Sequence, residues 1–211
     1  MINLCFHGIG TPERELEADE DQFWVEPDRF EALLDAAGEL EDVRLTFDDG
    51  NHSDVAVALP ALVERGLTAS FFVVAGRLGE PGSLSAAEVG ALAGAGMTIG
   101  THGLRHRPWR SLDESGHREE LDEARTILAS AAGAPIDKAA CPFGAYDRRT
   151  LRALRKRGYT RVYTVDRRPA APQDWLQARY VIRQDDTPET LRAFGRDSFL
   201  LAAKTAAKRW R

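Results

Sequence analysis

The sequence predicts an α/β domain built on a parallel sheet, and three observations carry that prediction. Short apolar runs rich in β-branched and aromatic residues recur along the chain. Helix-period segments of ten residues or more alternate with them, and several of these close on a glycine. Such alternation implies right-handed crossovers between parallel strands, and the seven runs suit a closed barrel at least as well as an open sheet.

The first run, Ile2 to Phe6, opens the chain as a buried strand. The stretch Thr11 to Asp21 then holds six acidic residues and leads through Gln22 to Phe23-Trp24; charge runs of this kind usually form solvated loops, and a loop is predicted. A helix over Asp28 to Ala37 precedes a strand from Val43 to Phe47. Asp54 to Arg65 is a helix closed by Gly66, Ala69 to Val74 a strand, Ala86 to Ala95 a helix closed by Gly96, and Met97 to Gly100 a strand. Leu112 to Ala132 is predicted as one long helix and Lys138 to Cys141 as a strand. Arg148 to Arg157 is a helix closed by Gly158, Tyr159 to Val165 and Arg179 to Ile182 are the last strands, and a helix from Pro188 to about Arg209 follows. Two helix starts carry a capping box, Ser85 with Glu88 and Ser111 with Glu114, in which hydroxyl and carboxylate each satisfy an orphan backbone donor.

Of the 211 residues 43% are hydrophobic, enough for one full-sized core, so a single domain over residues 1–211 is expected. With 33 acidic against 28 basic residues the net charge is −5, which excludes a protein whose whole surface grips nucleic acid. No apolar run approaches the roughly 18 residues of a membrane span, and the start lacks the basic end and apolar stretch of a secretory signal, so a soluble, cytoplasmic protein is expected. Cys5 and Cys141 lie in apolar runs and are expected to be reduced and buried. Lys204, Lys208, Arg209 and Arg211 follow the last acid, Asp197; they complement the dipole of the final helix, with membrane contact as the lesser alternative. No feature of the chain assigns an oligomeric state.

Two motifs carry chemistry. Thr46-Phe47-Asp48-Asp49-Gly50 closes the strand beginning at Val43. Asp-Gly after a strand often forms no more than a turn, but paired carboxylates at the C-terminal end of a parallel strand lie where α/β enzymes build their sites. There, one can be ionised on a metal while the other accepts protons. Thr101-His102-Gly103-Leu104-Arg105-His106 follows another apolar strand, and histidines four apart on one helical turn can reach a single cation. Together with Asp49 they offer two imidazoles and a carboxylate with coordination positions left open, the pattern of a catalytic metal site.

These residues resemble the polysaccharide deacetylases of carbohydrate esterase family four, the nodulation-type chitooligosaccharide deacetylase homology domain. Ala58 to Val74 is similar to the helix and strand after that family's Asp-Asp-Gly element, and Pro142-Phe143-Gly144 resembles its third motif, which lines the groove. The resemblance implies a distorted seven-stranded (β/α) barrel and a divalent metal, zinc before nickel or cobalt. It also implies hydrolysis of an N-acetyl, less often O-acetyl, group from a saccharide, in exopolysaccharide metabolism. Carried over, Asp49, His102 and His106 are the metal ligands, Asp48 the general base, and the backbone N–H of Phe143 the oxyanion donor.

Two departures from the family pattern matter. The arginine expected two residues before Pro142 is Ala140, and Arg179 is the candidate to hold Asp48 in its stead. The Leu-x-His motif normally near the C-terminus is missing, since no histidine follows His117. Cys5-Phe6-His7 approaches that pattern at the end of the first strand, as in relatives that look circularly permuted, and first and last strands are neighbours in a closed barrel. His7 is therefore the candidate general acid. Pro142, Trp175 (with Asp174, a candidate fourth motif) and Trp24 are candidate sugar contacts, with Trp109 and Tyr146 as further aromatics near loop ends. Two other readings stay open: a hydrolase of another amide such as a cyclic imide or ureide, and an inactive carbohydrate-binding protein on the same fold.

Overall fold

The computed structural model describes residues 1–194. Its strands, in chain order, are β1 (Ile2–Phe6), β2 (Gly8–Ile9), β3 (Trp24–Val25), β4 (Val43–Asp49), β5 (Ala69–Val73), β6 (Thr98–Thr101), β7 (Lys138–Ala140), β8 (Arg161–Thr164), β9 (Leu176–Ala178) and β10 (Tyr180–Val181). The helices are α1 (Pro27–Gly38), α2 (Leu59–Glu64), α3 (Ala86–Gly94), α4 (Glu114–His117), α5 (Ala124–Ala132) and α6 (Arg148–Lys156).

Eight strands form one parallel sheet in the order β10-β1-β4-β5-β6-β7-β8-β9. Its two ends, β9 and β10, are consecutive in sequence and flank Arg179. One bent segment therefore pairs with β8 through residues 176–178 and with β1 through residues 180–181, closing a distorted barrel. The predicted seventh strand is this bent segment, which starts three residues earlier than expected. Asn3 ties the seam, its Nδ2 donating to Gln177 Oε1 (3.0 Å) and to the Ala178 carbonyl (2.8 Å).

The two-residue period of each strand sorts side chains between the helix layer and the barrel interior. Phe6, Phe47 and Phe71, on three neighbouring strands, stack at 5.3 and 4.7 Å, and Phe30 of α1 meets Phe6 edge-on at 5.3 Å. All four rings are buried in the main core, each contributing about 1.5–3 kcal/mol. The alternate residues, Thr46, Asp48 and Phe72, belong to the other set, where Phe72 packs with Ala140 and Tyr163. Gly100 makes room there: a Cβ at that position would lie 2.4 Å from the Phe72 ring.

Three helical expectations change. Residues 54–64 begin as a π turn before α2, because Pro60 has no N–H for the regular ladder. The predicted single helix 112–132 divides into α4, a π segment over 118–123 and α5. Its start is capped by Asp113, which accepts from the Gly116 N–H, whereas Ser111 stands outside at φ 66°. The Ser85–Glu88 capping box forms as predicted. Residues 188–194 are helical; the rest of the predicted 188–209 helix, with its basic end, lies outside the described residues. Among these, no helix is long and apolar enough to cross a membrane.

Candidate active site

The strands run parallel, so their C-terminal ends share one mouth of the barrel. A cavity of about 300 Å³ opens there, walled by His7, Asp48, Asp49, His102, His106, Cys141 and Phe143, and on one side by Glu17 to Glu20, Gln22 and Phe23.

The Asp-Asp-Gly turn aims the two carboxylates apart. Asp49 and Gly50 both take φ 78°, a left-handed conformation that aspartate tolerates and glycine adopts freely. A Cβ at Gly50 would meet Val73 at 2.7 Å, so the turn also needs glycine for space. The turn and the site are thus one feature.

Asp48 faces the interior and forms a two-pronged pair with Arg179, Nη1 to Oδ1 and Nη2 to Oδ2, both 2.6 Å. Arg179 is fully buried; Nε also donates to the Thr164 carbonyl and Nη1 to Thr46 Oγ1, each at 3.2 Å. Burial by itself would raise the pKa of Asp48, but the adjacent guanidinium, with His102 and His7, holds it far below the usual carboxylate range. The same pairing keeps Arg179 charged against the desolvation that burial imposes.

His102 and His106 converge differently from the prediction. The residues between them form no helical turn: Gly103 at φ 88° and His106 at φ 52° fold a loop instead. Glu120, fully buried, gathers that loop, accepting from the N–H groups of Leu104 (2.9 Å) and Arg105 and from Nε of Arg107 (3.0 Å). The ring centroids lie 5.1 Å apart. His102 Nδ1 donates to the Ala140 carbonyl (2.9 Å) and His106 Nδ1 to Glu17 Oε1 (2.8 Å). Each ring therefore turns Nε2 toward Asp49 Oδ1, at 3.6 and 3.4 Å. Burial depresses the pKa of His102 to about 4, so it is neutral near pH 7 and its Nε2 lone pair is free to bind.

These three side chains fit a divalent cation. One donor atom from each lies within 4.8 Å of the others, and the buried Oδ1 of Asp49 has no hydrogen-bond partner. Carboxylate oxygen with two imidazole nitrogens is a donor set suited to zinc, nickel or cobalt.

His7 lies on the cavity wall just past β1, its ring stacked on Phe23 at 5.1 Å and its Nδ1 buried without a partner. Cys5, His7 and Asp48 also approach within 4.8 Å, but burial raises the Cys5 thiol well above its usual pKa and keeps it protonated. Phe143, 56% exposed, follows β7 at φ 56°, and its ring sits 4.4 Å from that of His106.

The expected sugar contacts fare less well. Trp24 is buried on Gly8, where a Cβ would come within 2.1 Å of its ring, and it borders a separate cavity beside His52. Trp175 precedes β9, at the opposite mouth; its Nε1 donates to the Tyr159 carbonyl (2.7 Å) and Arg155 stacks on it at 4.1 Å. Trp109 is fully buried, and the Tyr146 hydroxyl donates to Asp166. Pro142 is buried as the first residue of the 3₁₀ turn carrying Phe143 and does not line the cavity. Each aromatic was positioned by packing that sequence spacing cannot show.

The sequence reading also missed participants. The acidic stretch, expected as a solvated loop, lies against the cavity, with Glu20 buried in a pair with Arg14. Its density of acids with one embedded arginine was the available signal. Asp54 sits fully buried five residues beyond Asp49, its carboxyl oxygens without a well-formed hydrogen bond among the described residues. Burial, reinforced by Asp49 and Asp48, raises its pKa well above the usual value. A raised folded pKa favours the fold below the unfolded value of about 3.9 and loses that contribution as pH rises toward the folded value. Asp54→Asn is therefore expected to unfold at a higher temperature than the parent at pH 8, with a smaller difference at pH 5. Thermal scans at the two pH values test this, and a variant less stable at pH 8 than at pH 5, relative to the parent, refutes it.

Comparison with known proteins agrees with this fold. Residues 37–162 match the family model described as polysaccharide deacetylase. A Bacillus subtilis protein named "Putative polysaccharide deacetylase YxkH" is 22% identical over 196 residues, covering 85% of this chain and 70% of its own. The Streptococcus pyogenes deacetylase PplD, solved with acetate, superposes with a TM-score of 0.78 at 20% identity, covering 92% of this chain and 97% of that one. IcaB from Ammonifex degensii gives a TM-score of 0.73 at 22% identity over 92% and 96% of the two chains.

Proposed function

This chain belongs to the polysaccharide deacetylase family, and on that premise we propose that it is a metal-dependent hydrolase removing acetyl groups from an N-acetylated saccharide in exopolysaccharide metabolism, acting as a single domain. The observation that carries this reading is the convergence of Asp49, His102 and His106 on the wall of a cavity that Asp48 and His7 also reach.

Asp49, His102 and His106 would hold a divalent cation, which would supply Lewis acidity toward an acyl oxygen and toward water near neutral pH. The chain's own groups do the rest. Asp48, ionised and fixed by Arg179, takes the proton of the attacking water. The N–H of Phe143 donates to the oxygen that gains charge as the carbonyl carbon becomes tetrahedral. His7 delivers a proton to the leaving amine, its ring seated against Phe23. Ala140 and the missing C-terminal histidine motivate the inactive alternative; the contact of Arg179 with Asp48 and the place of His7 on the cavity wall support the active reading instead.

The test pairs elemental analysis of zinc-loaded protein with acetate release from N-acetylglucosamine oligomers. About one equivalent of metal per chain and steady acetate production are expected. Protein with neither is a binding protein on a deacetylase fold; metal without acetate from any saccharide, but turnover of cyclic imides, assigns the alternative amide class.

A further inference from the structure

The acidic stretch between β2 and β3 is a strap braced against the metal centre at several points. Its ends are pinned by backbone bonds, the Gly10 N–H to the Val25 carbonyl and the Gln184 N–H to the Gln22 carbonyl, both 2.8 Å. Glu13 rests directly on Gly82, where a Cβ would lie 2.6 Å from the Glu13 backbone. Buried Glu20 organises the middle, binding the Arg14 guanidinium and accepting from the Glu17 N–H at 2.8 Å. Arg14 reaches on to Asn51 Oδ1 (2.9 Å) and stands 3.8 Å from Asp49 Oδ2. Glu17 is thereby presented to His106, while Arg77 pairs with the same Glu17 oxygen.

Resting on the metal-site reading above, we propose that Glu17 is a positioning residue that fixes the ring and tautomer of His106. A neutral imidazole carries one N–H, and only the other nitrogen has a lone pair to give. A carboxylate at Nδ1 accepts that N–H, so Nε2 is left as the ligand atom facing Asp49 at 3.4 Å. The loop carrying His106 gives the ring no other hydrogen-bond acceptor among the described residues; Phe143 only packs on its face. Arg77 keeps Glu17 in place and Glu20 keeps the strap backbone in register, so the site draws its orientation from a segment outside the barrel.

The test uses full-length apo protein and zinc alone, in competition with a chromophoric chelator. Glu17→Ala is expected to weaken zinc binding by about 10- to 100-fold, the range for a lost ligand-orienting partner. Glu17→Gln, whose amide oxygen still accepts from Nδ1, is expected to lose less than about fivefold. Glu15→Ala removes the same charge from the same strap and is expected to leave affinity unchanged, since among the described residues Glu15 is bonded through its backbone carbonyl and not its carboxylate. Nitrogen-15 spectra of the imidazoles are expected to show His106 protonated on Nδ1 in the parent and on a mixture of nitrogens in Glu17→Ala. Zinc affinity of Glu17→Ala within twofold of the parent, or a parent His106 protonated on Nε2, overturns the assignment while leaving the metal site standing. A parent protein that takes up no zinc overturns both.

Discussion

Replacing Asp48 with asparagine lowers turnover by about 10²- to 10⁴-fold while zinc content stays at the parent level. The magnitude is that of a lost general base. Asparagine has nearly the same shape, but its amide cannot take a proton from water, and it offers Arg179 one acceptor where the carboxylate offers two. Zinc should be retained because the three proposed ligands are Asp49, His102 and His106, and Asp48 is not one of them. The variant leaves a buried arginine with its charge uncompensated, so kinetics belong well below its melting temperature. Turnover within threefold of the parent removes Asp48 from the mechanism; loss of zinc together with activity makes it a ligand instead.

Arg179→Met is expected to cost about 3–5 kcal/mol of stability, the usual penalty for removing one partner of a buried ion pair. The guanidinium makes four hydrogen bonds, to Asp48 twice, to Thr46 and to Thr164. It also occupies the bend where the barrel closes. The pH dependence distinguishes the pair from simple packing. Asp48 has a depressed folded pKa, so its contribution is complete above the unfolded value of about 3.9 and is lost as pH falls through the much lower folded one. Without Arg179, burial acts with less opposition and the Asp48 pKa rises. The stability deficit of the variant should therefore be widest at neutral pH and narrow below pH 4, and the acid limb of kcat/KM should move to higher pH. Arg179→Lys restores the charge without the two-pronged geometry and should recover only part of each effect. Urea titrations and pH–rate profiles decide it; a deficit under 1 kcal/mol with an unmoved acid limb reduces Arg179 to a barrel-filling side chain.

How legible the site was depends on how its residues are spaced. Asp48 and Asp49 are adjacent, and His102 and His106 are four apart, so each pair was visible as a local pattern, and each followed an apolar run whose end marked a strand terminus. Even there the route was misjudged: the histidines meet through a loop gathered by Glu120, because Gly103 takes a positive φ that no helix contains. Trp24 and Trp175 lie away from the cavity for a related reason. Indole rings near loop ends serve packing as readily as recognition, and only the surfaces of Gly8 and Arg155 show which use was made of them.

Strand and helix order, the parallel sheet and the two motifs at its C-terminal edge follow from periods of two and three to four residues, which are properties of neighbouring positions, while closure into a barrel entered only with the family resemblance. The chain alone therefore determined what kind of fold this is and which side chains could meet a cation. Tertiary structure decided what those side chains rest on. Glu17 reaches His106 across 89 positions, and Arg179, 131 positions from Asp48, was legible only as a stand-in for the family arginine that Ala140 replaces. Hydrogen bonds and ion pairs act over about 3 Å in space and depend on folding to bring their partners together, so no local pattern announces them.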